Sequence, residues 1–319
     1  MNRNEDLTRR LDNSPFWKQV GWQLEDPQSS DVRVRLPYHQ ANTTAATALH
    51  GGVIAATLDI AGSLAAWGAG GESNDTVIGR TLSCDVSYIA GALGEDIFGQ
   101  ATVLRRGKEI VYSSVCATNT EGKILASGNH IFQIGPARSP GSAMPAAVHG
   151  GGDNPGDFVP AGNRDHGLGS LPSRQPDHVA ANLRTLDQMD GRMPYMAQLG
   201  WRFIRGDFGF AEFLLPAKDT ALGEDGGLAG GALLSGVDHA GSLAAWMTTR
   251  LGDRSLFGST VNTKMQTFAT QIDRDVKVQA RAFGGEGSLL GSVVSIVTDA
   301  GEAVASGSTI YRIVERKGN

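Results

Sequence analysis

The chain has 319 residues, with 33 acidic against 28 basic side chains and a formal net charge of −5 at pH 7. That length allows two domains with separate cores, and the weak acidity gives no electrostatic case for nucleic acid or an anionic membrane surface. The two cysteines, Cys84 and Cys116, fall inside strand-like runs and read as reduced core thiols of an intracellular protein, not as a disulfide framework.

The opening, Met1 to Arg10, lacks the apolar core of a signal peptide, and no apolar run approaches the roughly 20 residues of a membrane span. A soluble, cytoplasmic protein with no membrane partner is expected. A short amphipathic segment near Pro15-Phe16 comes first, then strand-like alternation from Asp31 to Leu36, stopped by Pro37. His50-Gly51-Gly52 opens a helix that runs through Asp59 to Trp67 and is apolar nearly all round, hence buried. Strands follow at 78–89, 96–105, 109–119 and 124–134, with Gly94, Gly107 and Gly122 as turns. Antiparallel hairpins with one long apolar helix predict an α+β unit, a sheet wrapped round a central helix.

Residues 135–176 hold nine Gly and seven Pro, richer than the roughly 25–30 % at which an aperiodic segment reads as disordered. They are expected to be a tether that adds nothing to any chemistry. His149-Gly150-Gly151 and Gly152-Asp153-Asn154-Pro155 inside it imitate site motifs, but no apolar helix follows them. After Pro176, Asp177 is placed to cap a helix carrying Val179, Leu183, Leu186 and Met189.

The whole unit then recurs 179 residues on. Gly51-Gly52 returns as Gly230-Gly231, Asp59 as Asp238, and Ala-Gly-Ser-Leu-Ala-Ala-Trp ends both copies. Pro15-Phe16 returns as Pro194-Tyr195, Gly21-Trp22 as Gly200-Trp201, and Ala126-Ser127-Gly128 as Ala305-Ser306-Gly307. The predicted organisation is two repeats, 1–134 and 177–319, joined by the linker 135–176.

The repeated residues suggest chemistry. Gly51, Gly52, Gly230 and Gly231 sit at helix N-termini, where amides lack intrahelical acceptors and the dipole favours negative charge. Asp59 and Asp238 lie eight residues beyond, about 12 Å along the helix at roughly 1.5 Å per residue. Reacting groups must approach to about 3–3.5 Å, so neither Asp serves its own helix's N-terminus. Each could serve the other's if the helices pack antiparallel, which argues for composite sites between the repeats. The plainer alternative is that each Asp bonds Ser63 or Ser242, one turn on. Thr81 and Thr260 occupy matching places, as strand formers or as hydroxyls beside the acids. His130 and His239 read as structural, and no Cys/His cluster has metal-ligand spacing.

His-Gly-Gly with Asp nine positions after the His, then Asp85-Val86-Ser87-Tyr88-Ile89, Gly94-Glu95-Asp96-Ile97 and Arg105-Arg106-Gly107-Lys108, resembles the hotdog-fold acyl-CoA thioesterases of the phenylacetic-acid-degradation type. The resemblance implies a tandem hotdog chain that is its own pseudo-dimer, with a homodimer of chains left open. It implies hydrolysis of an acyl-CoA substrate without metal or other cofactor, CoA being part of the substrate. Gly51, with His50 before it, would work with Asp238 and Thr260, and Gly230 with Asp59 and Thr81. Gly52 and Gly231 would line the substrate. Arg105, Arg106 and Lys108 would meet CoA phosphates or form a solvated hairpin tip.

Ala229 replaces the motif His in the second copy, so the Gly51/Asp238 cleft is expected to be the stronger one. A non-catalytic acyl-CoA binder or regulator is one alternative. A hotdog hydratase or dehydratase is another, though its His/acid pair has no counterpart in these spacings.

Overall fold

The protein is described from a computed structural model at residues 3–25, 31–69, 77–136, 176–189, 193–251, 253, 255–269, 271–284 and 288–315. The first half runs α1 (Arg3–Asn13), α2 (Pro15–Val20), β1 (Gln23–Glu25), β2 (Val32–Leu36), a small hairpin of β3 (Thr43–Ala45) and β4 (Ala48–Leu49), and α3 (Gly51–Gly68). It continues with β5 (Val77–Tyr88), β6 (Ile97–Arg106), β7 (Ile110–Asn119) and β8 (Ile124–Pro136). The second half runs α4 (Pro176–Met189), α5 (Pro194–Leu199), β9 (Arg202–Asp207), β10 (Phe210–Leu215), α6 (Gly230–Trp246), β11 (Leu256–Thr267), β12 (Val276–Phe283), β13 (Leu289–Thr298) and β14 (Ala303–Glu315).

Ten of these strands are the ones the two repeats prescribe, and they join with β1 and β9 in one twelve-stranded sheet. Its order is β1-β2-β6-β7-β8-β5-β11-β14-β13-β12-β10-β9, which reads the same from either edge once repeat partners are matched. The halves meet where β5 and β11 pair antiparallel, from Ser87 opposite Asn262 to Ser83 opposite Gln266. β8 extends to Pro136, and Asp177 lies inside the first turn of α4 instead of capping it, because Pro176 already takes the first position. The bulk of the expected tether, with its two imitation motifs, lies outside the described residues.

One element was not foreseen. Arg3 to Asn13 form α1, which buries Leu7 and Leu11. Its Arg10 guanidinium lies 3.3 Å above the Trp67 ring and bonds Asp6 at 3.1 Å and Glu224 of the second half at 2.5 Å.

α3 and α6 lie antiparallel on the same side of the sheet and are buried along almost their whole lengths. At 18 residues α3 is, contrary to the sequence reading, long and apolar enough to cross a membrane by length and composition. Here 89 % of that stretch is packed inside the protein, so its apolarity is already used. The close approach of the helices rests on the second glycine of each pair. A Cβ on Gly52 would fall 2.9 Å from Ser235 Cβ and 3.0 Å from Ser235 Cα, and one on Gly231 would fall 3.1 Å from Ala56 Cβ. Ser235 Oγ seals the crossing by donating to the carbonyl of Gly52 at 2.9 Å.

Two β-bulges position side chains beneath the helices. In β5 the register slips between Thr81 and Ser83, and in β11 between Thr260 and Asn262. Cys84 and Val86 are buried, whereas the odd-numbered neighbours are not, so simple alternation would turn Thr81 away from the helices. The extra residue at each bulge, Leu82 or Val261, re-aims the threonine inward.

Gly52→Ala and Gly231→Ala should each lower unfolding free energy by about 1–3 kcal/mol through overpacking, more than an alanine gains in helix propensity, at most about 1 kcal/mol. Urea unfolding checks this: a variant as stable as the parent would show that the helices do not meet there.

Candidate active site

Each helix N-terminus meets the acid of the other helix. A Cβ on Gly51 would lie 2.7 Å from Asp238 Oδ2, and one on Gly230 would lie 2.6 Å from Thr81 Oγ1 and 3.2 Å from Asp59 Oδ1. Gly51, Asp238 and Thr260 therefore form one cluster, and Gly230, Asp59 and Thr81 the other. Both acids are 2 % exposed.

Neither acid bonds the serine of its own helix. Asp59 Oδ1 accepts from Thr81 Oγ1 at 2.6 Å and lies 3.2 Å from His130 Nε2. Asp238 Oδ1 accepts from Thr260 Oγ1 at 2.8 Å and Thr263 Oγ1 at 3.3 Å. His130 was read as structural, yet its side chain is fully buried against Asp59, 71 residues away in sequence. Thr263 and Tyr88 were not singled out as site residues. Tyr88 Oη donates to the Gly51 carbonyl at 3.1 Å, and its inward parity with Cys84 and Val86 was the available signal.

The two helix ends are finished differently. His50 is the N-cap of α3, and its Nδ1 accepts the Gly52 amide at 2.9 Å. Burial pushes the imidazole down to about 4, so it is neutral at pH 7, and its 3.9 Å approach to Asp238 is not an ion pair. Ala229, the N-cap of α6, offers no side-chain acceptor, so the amides of Gly230 and Gly231 donate to nothing among the described residues. The substitution that looked like a loss frees an amide. Burial also pushes the Asp238 carboxyl up to about 6, against the opposing pull of the Thr260, Thr263 and Tyr88 hydroxyls and the Gly52 amide.

A cavity of about 70 Å³ opens over the Asp59 cluster. Asp59, Thr81 and Gly230 line it, with Trp17, Trp67, Phe132, Leu233 and Ile272 supplying apolar walls and Glu224 and Asp225 an acidic rim. Burial pushes both rim carboxyls upward.

Arg105, Arg106 and Lys108 are exposed at and beside the β6–β7 turn. Arg106 Nη1 donates to the carbonyl of Ala66 at 3.4 Å, which places it at the C-terminal end of α3, where a cation also complements the helix dipole. That is the end of α3 carrying Trp67, a wall of the Asp59 cavity, although none of the three cations lines the cavity itself. Among the described residues no group of three or more His, Cys, Asp or Glu side chains is arranged to hold a metal ion.

Residues 47–126 match the Thioesterase superfamily. Human acyl-coenzyme A thioesterase 13 is 35 % identical over 110 residues, which is 33 % of this chain and 73 % of that protein. The medium/long-chain acyl-CoA thioesterase YigI of Escherichia coli K12 is 26 % identical over 133 residues, covering 38 % of this chain and 86 % of its own. Among solved structures, a protein of unknown function with a hot dog fold from Alicyclobacillus acidocaldarius superposes with a TM-score of 0.58 at 14 % identity, covering 96 % of this chain and 98 % of that one. Acyl-CoA thioesterase II TesB2 from Mycobacterium marinum gives 0.56 at 16 % identity, over 93 % and 98 %. At those identities the structures speak for fold: two hotdog units within one chain, as the mirrored sheet order requires. By its sequence match, this chain belongs to the thioesterase superfamily.

Proposed function

We propose that the protein hydrolyses an acyl-CoA thioester to free acid and CoA at composite sites between its two repeats. The observation that carries this reading is the uncapped N-terminus of α6 standing beside a buried, hydroxyl-anchored carboxylate from α3, under a cavity with apolar walls. A thioester carbonyl oxygen placed on the Gly230 amide gains a donor where negative charge develops, and the helix dipole adds to it. Asp59 then acts on the carbonyl carbon, as base toward a water or as nucleophile, since both roles need the same placement. The C–S bond breaks, the new C–O bond comes from water, and the CoA thiolate leaves and takes up a proton. Amides and a carboxylate supply all of this, so the reading calls for no metal or redox cofactor.

His50-Gly51-Gly52 with Asp59 supports the phenylacetic-acid-degradation subtype. The CoA phosphates are assigned to Arg105 and Lys108, with Arg106 held partly by Ala66 at the C-terminal end of α3. A cytoplasmic place suits a CoA ester substrate.

The sequence put the weight on Asp238. We place it on Asp59 for two reasons. Its cluster adjoins a cavity with apolar walls, and its partner helix presents two amides without acceptors, whereas His50 already takes one of those at α3.

A screen of short, long and aromatic acyl-CoAs with a thiol-detecting dye should show release of CoA. Asp59→Asn should lower kcat/KM at least a hundredfold, roughly 2.7 kcal/mol at about 1.36 kcal/mol per tenfold. Asp238→Asn should lower it less than tenfold. The reverse ranking would return the main site to the Gly51 cluster.

Asp238→Asn also has a pH-dependent effect on stability. The Asp238 carboxyl is higher in the fold than in the unfolded chain, so its contribution is fully present below pH 4 and is lost as pH rises to about 6. Across that window the parent should lose up to roughly 3 kcal/mol relative to Asp238→Asn, at about 1.36 kcal/mol per unit. Parallel unfolding curves for the two proteins from pH 4 to 7 would refute a raised Asp238.

A further inference from the structure

The two acids are anchored by donors that do not correspond. At the repeat offset, Thr260 matches Thr81, but Thr263 matches Cys84 and His130 matches Thr309. Asp238 takes its second donor from its neighbouring strand β11, through Thr263. Asp59 has only a thiol at that place, and a buried cysteine is a weak donor. Its second partner comes instead from β8, where His130 Nε2 stands 3.2 Å from Oδ1 and 3.3 Å from Thr81 Oγ1. The counterpart position in the other repeat has gone idle: Thr309 Oγ1 is buried without a partner.

The chain makes room for the imidazole. An added Cβ at Gly62 would fall 2.4 Å from His130 Nδ1, so only glycine on α3 admits the ring. Nδ1 is itself buried without a partner. A buried N–H with no acceptor is rarer than a bare acceptor, and Nε2 faces a carboxylate, which needs a donor. Both ends of the ring therefore favour the proton on Nε2. Thr81 and His130 then both engage Oδ1, while Oδ2 receives no hydrogen bond among the described residues.

We infer that His130 is a positioning residue for Asp59, a neutral Nε2–H donor that replaces in this cleft what Thr263 supplies in the other. Its side chain is fully buried and is not part of the cavity lining. It holds Oδ1 so that the carboxylate keeps one orientation toward the cavity. The inference rests on Asp59 serving thioester hydrolysis as proposed above.

The test uses the full chain carrying Asp238→Asn, so that turnover reports the Asp59 cleft. His130→Thr should lower kcat at least tenfold with KM changed less than about threefold. Adding Cys84→Thr to it rebuilds the donor pattern of the second repeat and should restore most of the loss. A filler of the cavity left by histidine would not be rescued from another strand. Should His130→Thr fail to fold, His130→Gln, which keeps a donor, and His130→Met, which keeps bulk alone, decide it. Gln should stay within about threefold of the parent and Met should fall at least tenfold; equal kcat for Gln and Met overturns the role.

Nitrogen-15 NMR of the histidine rings in the unmutated chain at neutral pH gives a readout free of turnover. A protonated Nε2 with a bare Nδ1 is expected, and an Nδ1–H tautomer or an imidazolium overturns the proposal. Asp59→Asn on the same background separates the two readings. If it leaves hydrolysis intact, the site assignment fails and the His130 role falls with it. If it abolishes hydrolysis while the His130 variants do not, only the His130 role fails.

Discussion

The antiparallel contact between α3 and α6 is the constraint on which the rest depends. Two helices can bring each N-terminus to the other's mid-length acid only if their axes lie close enough for backbone to touch backbone. Gly52 and Gly231 permit that, against Ser235 and Ala56. The paired glycines therefore divide the labour. The second of each sets the distance between helices, and the first faces a carboxylate across the gap. In the proposed mechanism, a side chain at the second position would separate amide from acid, and a misplacement of about 1 Å at a catalytic site can cost on the order of a hundredfold in rate.

The sheet enforces the same geometry from below. β5 and β11 pair at the seam between the halves and each carries one bulge. The seam fixes one half against the other, and the bulges turn Thr81 and Thr260 up into the acids. The carboxylates are thus fixed from two directions, along the helix by packing and across it by hydroxyls from the strand. This is why they can stay buried: a desolvated carboxylate is tolerated where donors replace water. For Asp238 the compensation is incomplete, and its carboxyl remains raised to about 6.

Much of this was legible in the sequence because it is periodic or repeated. The buried helix follows from apolarity on all sides, and the antiparallel pairing from the eight residues between glycine and acid. What stayed hidden depends on register or on contacts between distant elements. A bulge is one unpaired residue, invisible until strands are paired, so Thr81 read equally as strand filler or as a site hydroxyl. His130 reaches Asp59 across 71 residues from a strand whose pattern gave it no distinction. The α1 helix escaped because its charges dominate its composition, although Arg10 spends its charge on the Trp67 ring and on carboxylates of both halves.

Joining the two repeats in one chain explains how the clefts came to differ. In a symmetric dimer every substitution appears in both sites, so a cap lost at one helix is lost at the other. Here the two copies of each position are separate residues. His50 caps α3 while Ala229 leaves α6 with free amides, and Asp59 faces His130 where Asp238 has Thr263. The differences are also linked within each cleft. Gly62 and Gly241 must both stay bare, since a Cβ would fall 2.4 Å from His130 Nδ1 in one and 2.4 Å from Thr309 Oγ1 in the other. The acid with the histidine anchor is also the one opposite the uncapped helix, so the free amides and the extra donor occur in the same cleft. The two acid clusters thus share a fold, a seam and a pair of helices and differ in their caps and their donors.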